Sequence, residues 1–198
     1  VVQVSRWDRL KDPAGVMHGF VEVFGAGHDA WLVLAGPSLG SVSDDPDGAA
    51  VLAEVEADRS RLPDGVRSRV LLASLPMEDL AENGAIVNAL QRRAAIVVQK
   101  SLKEGFGLTV TEAMWKARPV VATAVGGIVD QIDDGVNGVL LQNPLDSKEF
   151  ATAVGDLLTD PERAAAIGEA ARERVRANFL VDRHTLRYVD LLEGLPAT

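Results

Sequence analysis

Cysteine is absent from these 198 residues. That excludes disulfides and thiolate metal sites and makes a reducing compartment, the cytoplasm, the default expectation. Positive charge is scarce too: 20 Lys and Arg stand against 29 Asp and Glu, a formal net charge of −9. A surface of that sign repels nucleic acid and anionic membranes, so neither is an expected partner and any anion site must be local. Long apolar runs are missing; none approaches the roughly 20 residues that span a bilayer, and no secretory leader is expected ahead of the first strand. Aromatics make up only 5% of the chain, and Trp7, Trp31 and Trp115 read as packing residues rather than a stacking platform. His18, His28 and His184 share no metal-ligand spacing. The opening residues, VVQVS, enter an apolar run without an initiator Met, so a piece of a longer protein is expected.

What is present is an alternation. Short β-branched runs at 1–5, 31–35, 70–73, 95–98, 120–123 and 139–141 read as buried strands. Between them lie helical patterns at 12–24, 49–62, 80–92 and 109–117, and the chain turns wholly helical at 148–158, 161–178 and 182–192. Strands alternating with helices at this spacing predict an α/β fold: a doubly wound, Rossmann-like parallel sheet of about six strands with extra C-terminal helices. No repeat or linker divides residues 1–198, so a single domain is expected. The last helix, with Leu186, Tyr188, Val189, Leu191 and Leu192, is too apolar for a free tail and is expected to pack on something.

The unusual chemistry gathers at 99–132. An apolar run ends in a polar loop punctuated by Gly105 and Gly107, and a helix is expected to open at Thr109. Glycine there lets backbone approach a ligand closely, and the helix start offers orphan N–H groups and the positive end of a dipole. A second glycine pair, Gly126 and Gly127, follows the run at 120–123 and is expected at the same sheet edge. Glu104 and Glu112 flank the first loop. Thr109 and Glu112 have capping-box spacing, which would explain Glu112 with no ligand present; Glu104 has the alternative of pairing with Lys100 or Lys103. Arg6 and Lys11, after the first strand, are placed to clamp a diphosphate, a bidentate guanidinium beside a point-charge ammonium, or are simply solvated. Asp45-Pro46-Asp47, beside Asp44, matches a D-x-D ligand pattern, but a proline-containing acidic loop is ordinarily solvated and no metal site is expected.

Three motifs in order carry a family resemblance: S-R-W-D-x-x-K at 5–11, E-G-F-G-L-T-x-x-E-A at 104–113 and P-V-V-A-T-A-V-G-G-I at 119–128. Together they resemble the C-terminal domain of retaining glycosyltransferases of the GT-B architecture, over nearly the whole chain. The wording KSLKEGFGLTVTEAMWK, the following GGIVDQI and the acidic DDPDG are most similar to trehalose synthases, with trehalose phosphorylases as the alternative. The resemblance implies donor binding for transfer of glucose from a UDP-, ADP- or GDP-glucose to an acceptor sugar, with no cofactor and no required metal. It implies catalytic roles for Arg6 and Lys11 on the diphosphate and for Glu104 on the sugar hydroxyls. Gly105, Phe106, Gly107, Leu108 and Thr109 would contact sugar and phosphate, Glu112 the ribose, and Leu75, in the loop at 74–77, would lie near the base. It further implies an N-terminal acceptor domain outside this chain, without which the domain is expected to be inactive; a homodimer of the full-length protein is among the options. From a different class, a receiver-like interaction module would want an acidic cluster at the strand ends, where Arg6, Lys11 and Lys100 stand instead.

Overall fold

The β-branched runs become six strands: β1 (Val2–Val4), β2 (Leu32–Pro37), β3 (Val70–Leu75), β4 (Val97–Gln99), β5 (Val120–Thr123) and β6 (Val139–Leu141). The computed structural model describes residues 1–25, 27–38 and 46–194. Asp44 and Asp45 of the acidic pattern lie outside them. All pairings are parallel, in the order β3-β2-β1-β4-β5-β6, which is the doubly wound arrangement.

The order has a consequence for function. The chain starts at the centre, winds outward to β3, then recrosses through α4 (Leu80–Arg93) to lay β4 on the other side of β1. Loops leaving β1 and β4 therefore part to opposite faces, and a crevice opens at their carboxyl ends.

Side chains alternate across the sheet and feed two cores. Leu32, Leu34, Ile96, Val98 and Val121 face α1 (Pro13–Gly25), α2 (Pro46–Ser60), α3 (Asp64–Arg67) and α7 (Ser147–Thr159), meeting Met17, Phe20, Val51, Val66 and Phe150. Val2, Val4, Ala35, Val97 and Ala122 face the other way, toward Met114 of α5 (Leu108–Trp115), Ile128 of α6 (Ile128–Gln131) and Val175 of α8 (Pro161–Asn178). Phe150 is fully buried where α7 crosses α1. Phe150→Ala should destabilise the domain by about 3–5 kcal/mol, measured by denaturant unfolding; a loss below about 1 kcal/mol would mean that this crossing is not part of a packed core.

The boundaries differ from expectation where strands end in polar or special residues. β2 runs on through Gly36 and Pro37, and β3 through Leu75, because these residues still pair across the ladder. β4 is shifted to end at Gln99. α2 begins at Pro46, where proline suits a first helical turn. The short α3, α6 and a 3₁₀ turn at Arg9–Lys11 were not expected at all. Trp7 is buried, whereas Trp31 and Trp115 are about half exposed; Arg69 lies over the Trp31 ring at 4.9 Å. The last helix, α9 (Val181–Glu193), leaves Leu186, Leu191 and Leu192 exposed. Among the described residues no helix is long and apolar enough to cross a membrane, and none form a cluster able to hold a metal ion.

Candidate functional site

Three loops meet at the carboxyl ends of β1, β4 and β5. The first leaves β1 through Arg6, whose guanidinium donates to Asp8 at 2.8 Å and is largely exposed. Trp7 is driven into the core, and its indole N–H donates to the Pro37 carbonyl at 2.9 Å, tying the loop to the end of β2. The Asp8 carboxylate accepts from Leu10 N at 2.8 Å and caps the 3₁₀ turn. That turn delivers Lys11, and its ammonium reaches Glu104 Oε2 at 2.5 Å across the crevice. Asp12 then takes a left-handed conformation, φ 48°, and its carboxylate accepts from both Gly15 N and the Lys100 ammonium.

The second loop leaves β4. Lys100 is only 2% exposed, and its pairing with Asp12 bridges the two halves of the sheet. A backbone bond from Leu102 N to Leu10 O, 2.8 Å, joins the same two loops. Glu104 follows, its side chain 11% exposed, with Oε1 accepting from Gly105 N at 3.1 Å. Gly107, φ 87°, turns the chain into α5 through backbone that a side chain would strain.

The third loop leaves β5 and supports the second from behind. Gly127 N donates to the Gly105 carbonyl at 2.7 Å, and the Gln131 amide donates to the Phe106 carbonyl. Gly126, φ 54°, lies so close that a Cβ built on it would stand 1.8 Å from the Glu104 carbonyl oxygen.

Arg6, Lys11, Glu104 and the start of α5 are thus brought to one edge of the sheet; of these, Arg6 lines a recess of about 200 Å³, with Trp7, Asp8 and Arg9 and with Asp47 and Val51 of α2. Two expectations about this edge are corrected. Glu104 pairs with Lys11 rather than with Lys100 or Lys103, because the buried Lys100 is taken by Asp12. α5 opens at Leu108 with Gly107 as its cap and no capping box, because the Thr109 hydroxyl donates at 3.0 Å to Gln99 Oε1 at the end of β4. Glu112, released from a capping role, stands exposed on α5. Phe106 and Leu108 are exposed at the loop, and the Phe106 ring meets Phe179 edge-on at 6.0 Å. Leu75 stands apart: its side chain is buried in the core and its carbonyl accepts from Ser38 N at the far side of β2.

A larger recess, about 380 Å³, lies between α4, α5 and α8, lined by Arg92, Trp115, Lys116, Arg172, Glu173 and Arg176. Arg172 pairs there with Glu169, Arg176 with Glu173, and Lys116 with Gln91, and the recess lies at the last turn of α5 rather than the first. Burial lowers the Lys116 ammonium from its ordinary value; Glu112 opposes that shift and Arg92 adds to it. The β1/β4 edge has what that recess lacks, cations beside the first turn of a helix that starts in a glycine-bearing loop. Such an edge suits a diphosphate, with a carboxylate alongside to accept from hydroxyls.

Gln3, Asp12, Gln99 and Ser101 went unrecognised as parts of this edge in the sequence. The only local signal was glutamine inside two otherwise apolar strands.

Residues 80–174 match the family model described as Glycosyl transferases group 1. The chain is 43% identical over 184 residues, 92% of its length, to a trehalose synthase of Rubrobacter xylanophilus, and covers 40% of that protein. It is 37% identical over 195 residues to a trehalose synthase of Pyrococcus horikoshii, covering 98% of itself and 44% of the relative. The chain therefore spans about two fifths of the length of these curated relatives. Its fold superposes with a TM-score of 0.78, at 23% identity, on the Anabaena protein HepE solved in complex with UDP, over 98% of this chain and 48% of that one.

Proposed function

The chain belongs to the group 1 glycosyl transferases, and from that premise we propose that it is the donor-binding half of a two-domain retaining enzyme that moves glucose from a nucleoside diphosphate glucose onto glucose, forming trehalose. The observation that carries this reading is the convergence of Lys11 on Glu104 at 2.5 Å, across the β1/β4 crevice and beside the N-terminus of α5. An ammonium has three protons to donate, so Lys11 keeps its bond to Glu104 while meeting a phosphate. Arg6, itself 63% exposed, exchanges its bond to the half-buried Asp8 for the same diphosphate. Exposed ion pairs are worth about 1 kcal/mol or less, so the exchange costs little.

In this reading the bond from the sugar C1 to the leaving phosphate oxygen breaks as the acceptor hydroxyl oxygen bonds to C1 on the same face. The hydroxyl proton passes to the departing phosphate, leaving nucleoside diphosphate and disaccharide. Negative charge grows on the diphosphate, where Arg6, Lys11 and the α5 dipole meet it. Glu104 accepts from hydroxyls of the transferred glucose and Glu112 from the ribose, while backbone from Gly105 through Phe106, Gly107 and Leu108 to Thr109 lines sugar and phosphate. Charge neutralisation is assigned to these groups, so no metal has a role in the step. The base has only a backbone to meet at Leu75. Acceptor binding falls to an N-terminal half outside this chain, which would also cover Leu186, Leu191 and Leu192 of α9.

Titration of this chain with UDP, ADP and GDP by calorimetry tests the reading. Weak binding of at least one is expected, with no sugar transfer, and no heat from any of them would refute it. Arg6→Ala should weaken that binding by about 1.5–3 kcal/mol, the worth of a hydrogen bond to a charged group; unchanged affinity would remove Arg6 from the clamp.

A further inference from the structure

β1 and β4, the two strands that border the crevice, carry the same device, at the middle of β1 and the end of β4. Gln3 and Gln99 are both buried, at 1% and 2% exposure, and each amide nitrogen donates to a serine two residues on: Gln3 to Ser5 at 3.1 Å, Gln99 to Ser101 at 2.9 Å. A buried carboxamide costs stability unless its groups are bonded; both ends of Gln99 and the amide nitrogen of Gln3 are bonded at the site, whereas Gln3 Oε1 is buried without a partner among the described residues. Gln3 also donates to the Lys11 carbonyl at 2.8 Å. Gln99 Oε1 accepts from the Thr109 hydroxyl at the start of α5, at 3.0 Å.

The Gln99 side has a direction. A hydroxyl has one proton, and because Ser101 accepts from the Gln99 amide, that proton is left to donate. Its acceptor is Glu104 Oε2, at a long 3.4 Å. Ser101 is itself held by the Thr123 hydroxyl, which donates to the Ser101 carbonyl at 2.5 Å. Glu104 Oε2 thus receives Lys11 and Ser101, whereas Oε1 receives only the amide N–H of Gly105. Apo bonds of this length commonly tighten when substrate arrives.

We propose that Gln99 and Ser101 are positioning residues for donor transfer: they form a relay from the first turn of α5 to Glu104 that turns the carboxylate so that Oε1, not Oε2, accepts the hydroxyl of the transferred sugar. Gln3 fixes the backbone of Lys11 in the same way from the other strand. The inference rests on the reading of Glu104 as the acceptor of sugar hydroxyls.

The test uses the full-length protein and separates sugar from nucleotide. Ser101→Ala and, independently, Gln99→Met should each lower kcat/KM for glucose transfer by about tenfold or more; in Ser101→Ala, which leaves the Thr109 bond to Gln99 in place, the affinity for nucleoside diphosphate, which lacks the sugar, stays within about twofold of wild type. Adding Ser101→Ala to Glu104→Gln should lower the rate no further than Glu104→Gln alone, since the relay acts only through that carboxylate. Thermal unfolding of each variant shows which of the two remains folded at the assay temperature. Either variant, folded and transferring at the wild-type rate, overturns the relay, as does an additive loss in the double variant or a parallel fall in the nucleoside diphosphate affinity of Ser101→Ala. A wild-type protein that binds no nucleoside diphosphate overturns the donor-site reading and the relay together; wild-type binding with an unaffected Ser101→Ala overturns the relay alone.

Discussion

Gly126→Ala is expected to abolish donor binding and to destabilise the domain, although the residue touches no ligand in the proposed site. The new Cβ would stand 1.8 Å from the Glu104 carbonyl oxygen and 2.7 Å from its carbonyl carbon, and both are backbone, so no side chain can rotate away. The position also has φ 54°, a left-handed conformation that costs an L-residue about 1–2 kcal/mol. Overpacking adds about 1–3 kcal/mol. A total on the order of 3 kcal/mol corresponds to a fall in Tm of about 6–12 °C for a chain of this size. Relief comes only by pushing the Glu104 loop away from the loop after β5, which breaks the Gly127 to Gly105 bond and draws Glu104 off Lys11. Thermal unfolding with nucleoside diphosphate calorimetry checks both halves; an unshifted Tm would show that the two loops are not in backbone contact.

Asp12→Asn is expected to cost about 3–5 kcal/mol, because it leaves a buried ammonium without its counter-charge. The Lys100 side chain is 3% exposed and that of Asp12 18%, so neither water nor salt screens the pair well. Asparagine tolerates the left-handed conformation of Asp12 and can still accept from Gly15 N; the loss is therefore one of charge and not of backbone geometry. Lys100→Met with Asp12→Asn should recover much of that stability, because the orphaned charge is gone. Chemical denaturation of the two variants decides it. A loss below about 0.5 kcal/mol for Asp12→Asn, the level of an ordinary surface substitution, would mean that Lys100 finds another partner or reaches water.

These residues also mark where the sequence was legible and where it was not. The strands were visible because each is a short β-branched run between polar or glycine-bearing segments, and the helix over 12–24 because an Asp-Pro pair suits a cap and first helical turn. Strand ends were not, because Gln99, Gly36 and Pro37 do not look like sheet; only their neighbours in the ladder keep them there. Local pattern misled at Thr109 and Glu112, whose capping-box spacing is real but loses to a partner ten residues upstream, Gln99. The loop glycines and the positive charge after β1 were legible as a candidate anion site from chemistry alone. That Lys11 answers Glu104 and Lys100 answers Asp12 was not, because each pair is fixed by strand order, and strand order is a property of the whole sheet. The short α3 and α6 are too brief to show a period and owe their existence to tertiary packing.

The separation of Lys11 and Glu104, 93 positions along the chain, bears on biogenesis. Neither half of the sheet contains the crevice: one supplies the cations, the other the carboxylate and the helix start, and closing so large a loop comes late because its entropy is spent before the contact forms. A chain that has folded only β1, β2 and β3 holds Arg6 and Lys11 but neither Glu104 nor the start of α5, and so lacks half of the proposed donor site. On the proposed reading, ligand stabilises this domain only once α5 has docked, because before that the two sides of its site are not together.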